Sequence, residues 1–247
     1  RLGRDGIAEV VAGPTTRPRL RNRYGLSVAD ALPGMIADDL LADRESPVAP
    51  MLAILLAGMW EAAKDRNHDR PVFDEDLYHE FRTRGLSLDD FLGRQVRALH
   101  DQMPEVVDSG LALDLLAYHT TPLGTAEQRT LADLEQVYSH RRDALPGLVL
   151  QCQDLYLLTD PAKNQPGQPP ASRLTHDTLA PHVRKRFDES DAPGQRARRI
   201  LESRKTDWLE ERAGAPLEGA ELHTVEVGLA GARGLSQSEI RLLAASR

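Results

Sequence analysis

Leu155-Tyr156-Leu157-Leu158 and Arg173-Leu174-Thr175-His176 are two short apolar runs, and the segment between them, Asp160 to Ser172, carries four prolines. Runs of this length on either side of a Pro- and Gly-rich tip read as the two strands of a β-hairpin. The order of what precedes them decides the fold. Ser87 is placed to cap a helix over Leu88 to Gln102, and Pro104 to open another through Tyr118. Thr125 is placed to cap Ala126 to Ser139, with Glu127 and Gln128 close to the capping-box position, and a fourth helix fits Pro146 to Asp154. Helices followed by one hairpin predict a winged-helix domain, bounded here as 85–183.

Outward on the N-terminal side, the clearest helix starts near Pro50. Leu52, Leu55, Leu56, Met59 and Ala63 recur at helical spacing, and Trp60 widens the stripe, so this face must be buried. Asp5 can cap a short helix through Val11 that Gly13-Pro14 ends, and the polar stretch Thr15 to Arg23 leads into Leu26 to Leu41. Asn67 to Asp74 reads as a loop around Pro71, followed by a helix over Glu75 to Arg84 that Gly85 stops. Outward on the C-terminal side, Asp191 and Pro193 start a helix through about Arg212, with Ala197, Ile200, Leu201 and Trp208 on one face. Glu218 to Gly228 and Ser236 to Ser246 form a last helical pair around the Gly-rich Gly231 to Gly234, and Ser236 with Glu239 is a capping box. The expectation is a mainly α chain in three segments, 1–84, 85–183 and 184–247.

Composition narrows the function. Lys+Arg number 31 against 38 Asp+Glu, a net charge of -7 over 247 residues, which argues against a dedicated nucleic-acid binder. A hydrophobic fraction of 40% is enough for a sizeable core. Cys152 is the 1 cysteine, so neither a disulfide framework nor a multi-cysteine metal site can form, and a reducing, cytoplasmic setting is expected. No apolar run reaches the roughly 18 residues of a membrane span. The chain begins at Arg1 without a signal-peptide pattern, which reads as an internal fragment.

Each candidate chemistry has a plainer reading beside it. A P-loop needs Gly-Lys-Ser/Thr so that backbone amides and a lysine surround the phosphates, and Lys64, Lys163, Lys185 and Lys205 each follow Ala or Arg. Asp38-Asp39 and Asp89-Asp90 could hold Mg²⁺ but read better as helix caps or solvated faces. His68-Asp69, His100-Asp101 and His176-Asp177 resemble metal-dependent phosphohydrolase ligands, yet such pairs arise readily by chance among 8 His and abundant Asp. Cys152 lacks any activating neighbour and reads as a packed helix residue. A winged helix usually reads DNA with its third helix, but Leu145 to Leu158 contains no Lys or Arg and the wing has only Lys163. The basic run Arg184, Lys185, Arg186, Arg196, Arg198, Arg199, Arg204 and Lys205 is interspersed with Asp188, Glu189, Asp191 and Glu202, which favours ion pairing over nucleic acid. His176 falls where the wing strand re-enters the domain. Its imidazole could donate to a phosphate, and Asp177 could cap the following helix, although spacing alone favours a structural role for both.

The stretch from Arg173 to Arg184, Arg-Leu-Thr-His-Asp-Thr-Leu-Ala-Pro-His-Val-Arg, resembles the His-Asp motif in the winged helix of the STAND NTPases, the signal transduction ATPases with numerous domains. Ser46 to Glu61 is similar to the lid helix of the bacterial novel-STAND group, with Pro50 matching the lid proline. Gly194 to Glu202 and Leu235 to Arg247 look like the stretches that join this module to a sensor region. The resemblance implies a helical lid over 1–84, a winged helix over 85–183 and a helical linker over 184–247. It also implies a switch in which ADP or ATP with Mg²⁺ sits mainly on a P-loop domain outside this chain. His176 would contact the β-phosphate of ADP, Asp177 and Thr175 would support it, and Pro50 would pack near the adenine. The implied partners are the chain's own P-loop NTPase domain, a C-terminal sensor such as WD40 repeats, and further copies in a homo-oligomer once ATP replaces ADP, with signalling output in anti-phage defence or cell death. A DNA-binding winged-helix regulator is the first alternative and a His-Asp metal-dependent phosphohydrolase the second.

Overall fold

A computed structural model describes residues 2–42, 47–83, 87–161, 167, 169–208 and 214–247, with backbone alone for 205–208. Gly85, Lys163, the side chains of Lys205 and Trp208, and the helix end expected at Arg212 lie outside the described residues. The described chain is mainly helical, with short strands in two small sheets, and it separates into two compact units, Arg1–Phe91 and Leu92–Arg247. Among the described residues no helix is long and apolar enough to cross a membrane.

In the first unit, α1 (Arg4–Thr16) packs against α3 (Leu32–Ala42) with Ile7 and Val11 buried. It does not stop at Gly13-Pro14, because the amide of Arg17 closes a last turn on the Gly13 carbonyl at 3.1 Å. The polar stretch beyond forms a helix too, α2 (Pro18–Tyr24), with proline at its start and Gly25 at φ +60 just past its end. β1 (Ser27–Val28) pairs in parallel with β2 (Val72–Phe73), which falls in the segment expected to be a loop. Between these strands lie α3 and α4 (Val48–Arg66). α4 buries Val48, Met51, Leu52, Leu55, Met59 and Ala63, so the helix begins two residues before Pro50 and its stripe is the expected one with Leu56 at its margin. Tyr24 meets Trp60 edge-on with ring centroids 5.4 Å apart. α5 (Glu75–Thr83) is capped by Asp74, whose carboxylate accepts from the Leu77 amide at 2.7 Å. Asp38 pairs with Arg4 at 2.6 Å and Asp39 accepts from the Tyr78 hydroxyl at 2.8 Å, so neither caps a helix.

In the second unit, α6 (Leu88–Gln102), whose first turn falls in the first, is capped by Ser87 as expected, with the Asp90 amide 3.1 Å from its hydroxyl. The helix expected from Pro104 to Tyr118 is two, α7 (Pro104–Asp108) and α8 (Leu111–Tyr118), because Gly110 between them has φ +93, a left-handed conformation that ends a helix. Thr125 caps nothing. It closes a five-residue turn with Thr121, the two hydroxyls 2.8 Å apart. The chain then runs extended into β3 (Arg129–Thr130), and Thr130 with Asp133 forms the capping box that starts α9 (Leu131–Val137). α10 (Leu145–Asp154) follows.

α10 ends in a Schellman arrangement, with the Leu157 amide on the Cys152 carbonyl at 2.8 Å, the Tyr156 amide on that of Gln153 at 3.0 Å, and Tyr156 at φ 56. Leu155 and Tyr156 are therefore helix exit, and the strands are β4 (Leu158–Thr159) and β5 (Ala171–Leu174). The sheet order β3-β5-β4, antiparallel throughout, with α9 and α10 between the first two strands in sequence, is the winged-helix order.

α11 (Leu179–Glu189) packs on α8, and α12 (Pro193–Trp208) on α8, α13 (Gly219–Gly228) and α14 (Gln237–Ser246). Ala197, Leu201, Leu217, Val225, Leu242 and Leu243 form the core of this helical cluster. Burying a leucine or valine of this kind stabilises by about 1.5–3 kcal/mol relative to exposure. The expected capping box at Ser236 and Glu239 is present.

Candidate functional site

The junction of β5 and α11 is built by backbone first. The Thr175 amide donates to the Leu157 carbonyl at 3.1 Å, continuing the pairing of the wing strands past β5. His176 and Asp177 then offer their carbonyls to the amides of Leu179 and Ala180, both at 3.0 Å, which winds the chain into α11. His176 is thus held at a strand-to-helix turn. Its ring is half-buried and makes no hydrogen bond to another described residue. Burial lowers its pKa below the ordinary histidine value, against a smaller upward pull from Asp177, so at neutral pH it is a neutral imidazole with one N–H to donate.

Asp177 does not cap α11. Its Oδ1 accepts from the Ala126 amide at 3.1 Å and pairs with Arg173 at 2.6 Å, tying the turn beyond α8 to the wing strand. The Thr175 Oγ1, and with it that of Thr178, is buried without a hydrogen-bond partner among the described residues. The structure therefore brings Thr175, His176 and Asp177 together in the second unit. Pro50 lies in the first, half-buried as the third residue of α4.

The competing chemistries also have positions. His68 is exposed between α4 and β2, and His100 pairs with Asp108 at 3.1 Å. Among the described residues no group of three or more His, Cys, Asp or Glu could hold a metal ion. Cys152 is fully buried, and desolvation pushes its thiol up to about 12, which leaves it no thiolate at neutral pH. α10, in the position of a recognition helix, exposes Pro146, Gly147, Leu150 and Asp154. The nearby Arg141 donates to the Ala230 carbonyl at 2.9 Å. α10 itself carries no Lys or Arg, and the exposed Arg142 just before it is a cation beside that surface.

Much of the basic run is engaged within the fold. Arg198 pairs with Glu239 at 3.1 Å, Arg204 with Glu221 at 3.0 Å and Arg199 with Asp191 at 3.6 Å. Two buried polar residues escape sequence reasoning. Asp114 is fully buried in α8, and His119 bridges the Leu115 carbonyl and the Ser172 hydroxyl, both at 2.8 Å. The available signal for the first is a lone carboxylate in the otherwise apolar Leu-Ala-Leu-Asp-Leu-Leu-Ala-Tyr of α8.

Compared with known proteins, the chain matches no family model, no curated protein and no solved structure.

Proposed function

We propose that this chain is the nucleotide-state-dependent regulatory module of a STAND NTPase, closing on ADP through His176 and opening when ATP replaces it. The observation that carries the reading is the His176 ring, half-exposed and without a hydrogen bond to another described residue at the turn between wing strand and helix. A group so placed suits a phosphate oxygen, to which it can donate without losing an existing bond. Asp177, through Ala126 and Arg173, fixes the backbone on which the imidazole stands. ADP or ATP with Mg²⁺, held mainly by a P-loop domain outside this chain, supplies the phosphate charge that distinguishes the two states.

The energetics suit a switch. One hydrogen bond to a charged phosphate is worth about 1.5–3 kcal/mol, enough for a roughly tenfold to hundredfold bias between two arrangements. A contact made in one nucleotide state and not the other shifts the population by that differential alone. Release would leave the module free to join further copies, and the chain's sensor partner would set the trigger.

The test is the nucleotide released on denaturing the native protein in which this chain is joined to its P-loop domain, compared with the His176→Ala variant. The reading expects ADP in the wild type, and its loss or spontaneous oligomerisation in the variant. If neither protein carries nucleotide, the reading fails.

A further inference from the structure

Gly93 on α6 marks a second place where charge converges. A Cβ at this position would lie 3.3 Å from Nη2 of Arg186 on α11 and 3.7 Å from Nη1 of Arg97, one turn further along α6. Two guanidinium groups thus come within 4 Å of one point. Neither makes a hydrogen bond or ion pair with another described residue, whereas Arg184, Arg198, Arg199 and Arg204 nearby in sequence are each engaged. Like charges held this close repel, by an amount that grows as water is excluded. An anion between them turns that repulsion into two charge-assisted hydrogen bonds.

The two arginines line a cleft of about 420 Å³, within the range of small-molecule sites. Val96, Val107, Leu113 and Leu116 give it an apolar wall. Gln195, at the same cleft, is fully buried and already committed, its amide donating to the Gly110 carbonyl at 2.8 Å and its oxygen accepting from Ser190. Glu189 also faces the cleft and is exposed. Two guanidinium groups and one carboxylate leave a single positive charge, which matches a monoanion better than a dianion.

We propose that this cleft binds a small organic carboxylate, its acid group held between Arg97 and Arg186 and its apolar body against α6 and α8. The site is separate in its residues from His176 and stands whether or not the chain senses nucleotide.

The test uses the 247-residue chain titrated calorimetrically at fixed ionic strength with benzoate, acetate and inorganic phosphate. Benzoate is expected to bind saturably and more tightly than acetate, and Arg97→Gln and Arg186→Gln each to weaken it at least tenfold. Because neither side chain holds a described partner and the two repel each other, neither variant should melt below the wild type. Gly93→Ala keeps every charge but places a methyl group against the Arg186 guanidinium, so it should weaken benzoate as well. Glu189→Gln should improve phosphate more than benzoate. No saturable benzoate binding by the wild type, equal binding by the arginine variants, or acetate binding as tightly as benzoate would overturn the proposal.

Discussion

Tyr138 donates its phenolic hydrogen to Asp114 Oδ2 at 2.7 Å, with both side chains fully buried. The Arg233 amide donates to the same oxygen at 2.9 Å, so one carboxylate joins α8, the residue after α9 and the loop before α14. Burial holds the Asp114 carboxyl above the ordinary carboxylate range, opposed by Arg233 and by the Tyr138 bond, and the same burial pushes the phenol well up.

This pair makes stability depend on pH in a particular direction. Asp114 binds its proton more tightly in the folded than in the unfolded chain, so its contribution is full below the unfolded carboxylate pKa and is lost as pH rises through the folded one. Asp114→Asn should flatten that decline in urea-denaturation midpoints measured across the acid range. A decline of unchanged slope would show that another group causes it. Tyr138→Phe should lower stability by about 1–3 kcal/mol, the cost of taking a donor from a buried acceptor.

His119 works in the opposite sense. Burial lowers its pKa from 6.5 to about 4, against the bond to the Leu115 carbonyl. The neutral ring is the native form, so its contribution is complete above the unfolded value and is lost as pH falls toward 4. The full shift is worth about 3 kcal/mol. His119→Gln should be less stable than wild type at pH 7 yet lose less on acidification, and equal acid sensitivity in the two proteins would contradict the assignment.

Arg198 and Glu239 pair at 3.1 Å with side chains only 6% and 3% exposed. Glu239→Gln leaves the guanidinium buried with a neutral acceptor, and Glu239→Ala leaves it with none on that side. Breaking one partner of such a pair typically costs about 3–5 kcal/mol. Chemical unfolding should show a larger loss for Ala than for Gln. A loss under 1 kcal/mol for both would mean that water already reaches the guanidinium.

Gly194 opens α12 where that helix crosses the chain after α13, and a Cβ there would collide with the backbone carbonyl of Gly231. The obstruction is main chain and cannot rotate aside. Gly194→Ala should therefore destabilise the second unit by about 1–3 kcal/mol or more, with loss of hydrogen-exchange protection in α12 and α13. Unchanged protection would place the crossing elsewhere.

The helices whose signals lie within one turn were legible from residues alone: Ser87 and Asp90 for α6, Ser236 and Glu239 for α14, and the apolar stripe of α4. A cap and an amphipathic face are interactions between neighbours three or four positions apart, so the sequence carries them whole. The hairpin was legible in outline and misplaced by a few residues, because Tyr156 takes a left-handed conformation that lets α10 run out where a strand was expected. Thr125 against Thr130 shows the same limit. Both are good caps, and the turn closed by Thr121 and fixed through Asp177 decides which one caps.

For the site, the motif at His176 and Asp177 could be read in the chain, but the half-burial of the ring and the reach of Asp177 to Ala126 could not. The partners of Asp114 and His119 and the convergence of Arg97 with Arg186 were likewise not legible there, although Asp114 itself stood out as a lone carboxylate in an apolar helix. Asp114 meets Tyr138 24 positions away and Arg233 119 positions away. Nothing in local spacing records such a meeting. Sequence alone determined that this chain is mainly helical with one wing, since periodicity and caps act over a single turn. The tertiary structure decided which polar groups are buried, paired or left open to a ligand, since desolvation and charge pairing depend on which distant segments the packing brings together.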